Sequence, residues 1–107
     1  MLSNEIKQKI IEALGSLKPE KIILFGSYAH GNPGEESDID LFVIKNMGKE
    51  QVRDYRIMSK KLLWHKFRHQ NIGFDVLVDS EKRIEERIKI GDRFYEDIVK
   101  NGVVIYA

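Results

Sequence analysis

The 107-residue chain contains no cysteine. A disulfide framework and a thiolate metal site are therefore excluded, and the composition fits a reducing cytoplasm. There are two prolines, Pro19 and Pro33, and both fall where the chain reads as turning. No apolar run approaches membrane-spanning length, and the opening Met1-Leu2-Ser3-Asn4-Glu5 does not read as a signal peptide. Neither sign of charge is in excess: the formal net charge is +1 with 33% charged residues. Such a mixed surface suits a soluble protein and argues against a general nucleic-acid binder. The length predicts one domain spanning residues 1–107, with room for one modest core.

What is present alternates between two periodicities. Ser3 predicts an N-cap, and Ile6, Ile10, Ile11 and Leu14 recur at helical spacing until Gly15. Lys21 to Phe25 reads as a strand, and Asp38 to Ile44 as a second. Lys49 to His69 reads as one long helix without internal glycine or proline, with Val52, Tyr55, Met58, Leu62 and Leu63 as its core stripe. Trp64 and Phe67 are expected to widen that stripe; an exposed patch for a partner is the sharper alternative. Seven basic residues face two acids across this segment, which a solvated face explains, with an acidic protein or RNA as the functional alternative. His65 and His69 share a helix face but lack a zinc-protease signature, so they read as solvated. Phe74 to Val78 predicts a third strand, Glu81 to Ile90 a helix behind Asp79-Ser80, Asp92 to Lys100 a last helix, and Val103 to Tyr106 a fourth strand. The order predicts an α/β (α+β) domain: a small mixed β-sheet with helices packed on one face.

The chemistry concentrates between Leu24 and Val43. An apolar strand ends in Gly26-Ser27. Gly26 lets the main chain turn sharply and approach a ligand, and Ser27 is expected to cap a short helix and to offer a hydroxyl to a phosphate. Asn32-Pro33-Gly34 marks a loop that could move over a bound nucleotide. Asp38 and Asp40 stand two apart on a strand, so both project to one face, while Ile39, Leu41 and Val43 take the other. Paired carboxylates repel unless a cation lies between them, and hard oxygen donors of this kind suit Mg²⁺ with substrate phosphates. Asp75, near the start of a later apolar strand, supplies a third carboxylate if that strand lies beside the first. A polar strand start is the bland alternative for Asp75 alone.

Gly26-Ser27, ten intervening residues, Asp38-Ile39-Asp40-Leu41 and then Asp75 together resemble the nucleotidyltransferase superfamily that includes DNA polymerase beta. The Ser-Asp-Ile-Asp-Leu form and the short length are most similar to its minimal nucleotidyltransferases, and the resemblance extends over nearly the whole chain. It implies a polymerase beta-like fold and Mg²⁺-dependent transfer of a nucleoside monophosphate, AMP from ATP, with two Mg²⁺ ions held by Asp38, Asp40 and Asp75. Gly26 and Ser27 would hold the leaving phosphates, and Asp75 is also a candidate general base. Where small relatives often carry an arginine, this chain has Tyr28 and His30. The acceptor implied is a hydroxyl of a partner protein, a small all-helical HEPN-type protein paired with this one as antitoxin to toxin.

A second reading makes the chain a non-catalytic binding module that neutralises a helical partner by masking it. A third, transfer to a free small molecule, requires a pocket formed by self-association into a homo-oligomer.

Overall fold

The computed structural model describes residues 2–31, 34 and 38–107. Helix α1 (Asn4–Leu14) begins where the Ser3 hydroxyl accepts the Ile6 N–H at 3.2 Å, and it buries Ile10 and Leu14. A short turn leads through Lys18, held at φ 50°, into strand β1 (Lys21–Phe25). Strand β2 (Ile39–Ile44) follows, then a tight turn over Lys49–Gln51 and helix α2 (Val52–Lys66). Strand β3 (Phe74–Asp79), helix α3 (Glu81–Lys89), helix α4 (Arg93–Asn101) and strand β4 (Val103–Tyr106) complete the order. The Ser80 hydroxyl caps α3 by accepting the Arg83 N–H, and the Asp92 carboxylate caps α4 by accepting the Tyr95 N–H.

The four strands form one sheet in the order β3-β2-β1-β4. β1 pairs antiparallel with β2 and with β4, whereas β2 and β3 run parallel, so the sheet is mixed as expected. A parallel pair needs a crossover, and α2 supplies it.

The helices cover both faces of this sheet, a correction to the expectation of one. Ile22, Leu24, Ile39, Leu41, Val43, Val76 and Val78 pack against Ile10 and Leu14 of α1 and Leu63 and Phe67 on and just past α2. Ile23, Phe42 and Ile44 point the other way and pack on Ile84 of α3 and Ile98 of α4. The reason lies in Leu41-Phe42-Val43-Ile44, an unbroken apolar run. Alternate side chains of a strand face opposite sides, so such a run needs cover on both. Phe42 and Tyr95 meet edge to face at 5.2 Å on this second side.

The inner stripe of α2 also differs from expectation. Val52, Tyr55, Ser59 and Leu63 line it, and the Ser59 hydroxyl is satisfied by donating to the Tyr55 carbonyl at 2.8 Å. Met58 and Trp64 are exposed, Leu62 is only half-buried, and Phe67 alone of the two aromatics reaches the core. Serine can replace a larger apolar side chain on the stripe because its hydroxyl finds a partner within the helix. Among the described residues, no helix is long and apolar enough to cross a membrane.

Candidate active site

The acids converge through sheet register. In the parallel pairing of β2 with β3, Asp40 stands directly opposite Asp75. Neighbouring strands lie about 4.8 Å apart, and side chains of paired residues share a face. Asp38, two residues before Asp40, belongs to that face as well. It sits just ahead of β2, where the Ile39 N–H donates to the Gly73 carbonyl at 2.9 Å and fixes the start of the strand beside β3. The three carboxylates therefore occupy one end of the sheet, on the face whose deeper part is covered by α3 and α4.

Two glycines make room for them. The Asp38 carboxylate lies against Gly73, and the Asp40 carboxylate lies against Gly26, so a Cβ at either glycine would collide with a carboxylate oxygen. Gly26 also turns the chain at φ 74° immediately after β1, where Phe25 is the partner of Asp40. Gly73 was not singled out in the sequence. A glycine two positions before a candidate acid on a strand is a usable signal for such a close approach.

Electrostatics at this end favour a cation. The Asp40 carboxyl is pushed above its ordinary value, first by burial and then by the charges of Asp75 and Asp38. Asp38 and Asp75 are exposed. Among the described residues no lysine, arginine or histidine forms an ion pair with any of the three. No three acidic or histidine side chains among the described residues are drawn in closely enough to make a ready-formed metal cage. The donor set nevertheless fits magnesium, which keeps several waters and binds through one or two carboxylates together with substrate phosphates.

Ser27 does not cap a helix. It lies inside a three-residue turn, Gly26–Tyr28, whose cap position is Phe25 and carries no side-chain hydrogen bond. The turn closes on the Gly26 carbonyl, which accepts the N–H groups of Ala29 at 3.1 Å and His30 at 3.2 Å. Ser27 is half-buried at the β1 side of Asp40, across from Asp75. Tyr28 packs on the core and His30 is exposed. The expected loop over 32–36 lies outside the described residues apart from Gly34. His65 and His69 are exposed, as expected, and belong to no metal-holding group among the described residues.

One acid that the sequence places only ahead of a helix is structural. Asp79 is buried at 3% exposure and takes the Tyr95 hydroxyl at 2.7 Å, Arg83 Nε at 3.1 Å and the Ser80 N–H at 3.0 Å. It ties β3, α3 and α4 together at the opposite end of β3 from Asp75.

Comparison with known proteins agrees with this arrangement. Residues 8–107 match the family model described as "Polymerase beta, Nucleotidyltransferase". The chain is similar to two proteins of Methanocaldococcus jannaschii. One, named "Putative protein adenylyltransferase MJ0604", is 34% identical over 87 residues, covering 81% of this chain and 78% of the relative. The other, named "Putative protein adenylyltransferase MJ0141", is 30% identical over 101 residues, covering 92% and 90%.

Proposed function

The chain belongs to the polymerase beta nucleotidyltransferase family, and on that premise we propose that it transfers AMP from ATP to a hydroxyl group of a partner protein. The observation that supports this most directly is the in-register pair Asp40 and Asp75, joined by Asp38, without a cationic side chain among the described residues to balance them. The nucleotidyltransferase class follows from the family. The protein acceptor and the adenylyl group are drawn from the names of the two relatives, and the metal assignment from the chemistry of the site.

Asp38 and Asp40 would hold a magnesium ion shared with the triphosphate, and Asp75 would join them around a second. Bound magnesium supplies charge neutralisation at the phosphates and lowers the pKa of the attacking hydroxyl. Gly26 leaves the main chain open toward the β- and γ-phosphates, and the Ser27 hydroxyl donates to them. Asp75, exposed on the edge strand, orients the acceptor hydroxyl and takes its proton. The acceptor oxygen bonds to the α-phosphorus, the bond from that phosphorus to the bridging oxygen breaks, and pyrophosphate leaves. The partner proposed is a small all-helical HEPN-type protein, with this chain as its antitoxin.

The test is transfer of label from α-labelled ATP to a co-purified partner in the presence of Mg²⁺. Asp75→Asn is expected to slow transfer by at least ~100-fold, in line with the loss of a positioned acid–base group. No labelled partner under any nucleotide or metal would remove the catalytic reading. A partner neutralised equally well by the Asp38→Asn and Asp40→Asn variants would support masking instead.

A further inference from the structure

The outer face of α2 meets the open edge of the sheet beside the acids. Ile57, Lys61 and Trp64 recur at helical spacing on the side of α2 away from Ser59 and Leu63. Trp64 leaves 71% of its surface exposed. Together with Lys60 and Lys61 it lines a groove of about 350 Å³ whose far wall is Ile72, Gly73 and Phe74. Neither lysine forms an ion pair among the described residues. An indole continuous with an apolar wall is the kind of surface on which proteins meet.

Two relationships connect the groove to the chemistry. Gly73 lines the groove and also lies against the Asp38 carboxylate. Phe74 lines it too, and Asp75 is the next residue along β3, which has no strand partner on its outer side among the described residues. The Gly26–Ser27 turn lies on β1, on the far side of β2 from this edge.

We propose that this groove seats the acceptor, as an extended acidic segment of a protein that runs along the β3 edge. An apolar side chain of the segment packs between Trp64 and Phe74. Its carboxylates meet Lys60 and Lys61. Phe74 packs on the α2 side of the sheet and Asp75, the next residue, faces the other side, so on an extended segment the hydroxyl presented to Asp75 stands an odd number of residues, about one or three, from that apolar anchor. The proposal rests on the transfer reading above. Charge complementarity selects the occupant: the segment from Lys49 to His69 carries seven basic residues and two acids. A nucleobase would use the indole but has no carboxylates for the two ammonium groups, and its phosphates are assigned to the acids and the Gly26–Ser27 turn.

Trp64 is the chain's one tryptophan, so its emission reports on the groove directly. The probes are a synthetic peptide with a leucine three residues from a serine and flanking aspartates, the same peptide with lysines for aspartates, and ATP without divalent metal. The full chain is expected to show a saturable change with the acidic peptide and none with the basic one. Lys60→Glu and Lys61→Glu are expected to weaken the acidic peptide at least ~10-fold, which corresponds to about 1.4 kcal/mol, while Lys60→Arg and Lys61→Arg retain it. Equal response to both peptides, response to neither, or wild-type affinity in the charge-reversed variants would overturn the proposal. A saturable response to ATP alone, with none to peptide, would assign the groove to the nucleobase and overturn it equally. Peptide binding is read without turnover. Binding without AMP transfer would therefore sink the catalytic reading and leave the groove, whereas transfer that persists in Lys60→Glu and Lys61→Glu would sink the groove alone.

Discussion

Gly26 and Asp40 share one volume: the Asp40 carboxylate occupies the place where a side chain on Gly26 would begin. The same glycine sits at φ 74°, a conformation that other residues adopt only with strain. The turn after β1 and the position of the half-buried acid are thus set by a single residue. This makes the glycine of the Gly26-Ser27 pair a matter of space around the carboxylate as much as of room for phosphate.

Gly26→Ala is accordingly expected to act on stability and on the site together. The positive φ alone costs about 1–2 kcal/mol, measurable as a lower denaturant midpoint. Displacing Asp40 is expected to reduce AMP transfer by roughly 100-fold, the scale of an ångström-sized misplacement. A variant that transfers at the wild-type rate would show that Asp40 takes its place independently of the turn.

Asp40→Asn separates the electrostatics from the shape. The folded protein holds the Asp40 carboxyl above its unfolded value, so its contribution to stability is fully present below the unfolded pKa and is lost as pH rises through the folded one. At neutral pH without divalent metal, the ionised carboxylate therefore works against the fold, and asparagine is expected to raise the melting temperature by a few degrees. The gain should shrink as pH falls from the raised folded value toward the ordinary carboxylate value, as wild-type Asp40 becomes neutral too. Added Mg²⁺ is expected to raise the wild-type melting temperature and to leave the variant nearly unmoved. Differential scanning measurements with and without metal at several pH values check both signs.

Asp92 carries the opposite sign. Its carboxyl is held below the ordinary value by the Tyr95 backbone N–H and by Arg87, whose Nη2 and Nε approach Asp92 Oδ2 at 2.9 and 3.0 Å. Its contribution is present above the unfolded pKa and is lost as pH falls through the folded one, so the window opens below about pH 4. Asp92→Asn keeps an acceptor for the helix cap and removes the ion pair. The variant is expected to lose less stability than wild type on acidification, and Asp92→Ala to be the less stable of the two at neutral pH. Acid titration followed by circular dichroism reads this; parallel acid limbs for wild type and Asp92→Asn would exclude the role.

The elements legible in the sequence are those where local chemistry and tertiary position agree. Ser3, Ser80 and Asp92 announce helix starts and serve as caps, because an N-cap depends on its own few residues. Asp38, Asp40 and Asp75 were legible because strand alternation assigns a face, although only the parallel register shows that two of them stand opposite each other. What escaped depends on packing across elements. Trp64 reads as core by type, yet it is exposed, and the position inside goes to Phe67. The cover over Phe42 by α3 and α4 was readable from its apolar neighbours, but the choice of a two-sided sheet is made by Ile84 and Ile98, far along the chain. Gly73 stands two residues before Asp75, a weak local signal, and its use is defined by a carboxylate arriving from another strand.

The Tyr95 hydroxyl, finally, carries a prediction on the alkaline side. Burial and its hydrogen bond to Asp79 push the Tyr95 pKa up to about 12, and burial does the same for Tyr55, whose hydroxyl donates to the Leu17 carbonyl at 3.1 Å. Both groups stabilise the fold below the unfolded tyrosine value near 10 and lose that contribution as pH rises through about 12. Tyr95→Phe removes a donor from the buried Asp79 carboxylate, leaving Arg83 and the Ser80 N–H to satisfy it. A loss of about 1.5–3 kcal/mol is expected at neutral pH, the usual range for a hydrogen bond to a charged group. The difference between wild type and variant should narrow between pH 10 and 12 as the wild-type hydroxyl ionises beside Asp79. Urea unfolding across that window measures it. A constant difference would mean that the Tyr95 ring against Phe42, and not its hydroxyl on Asp79, holds α4 to the sheet.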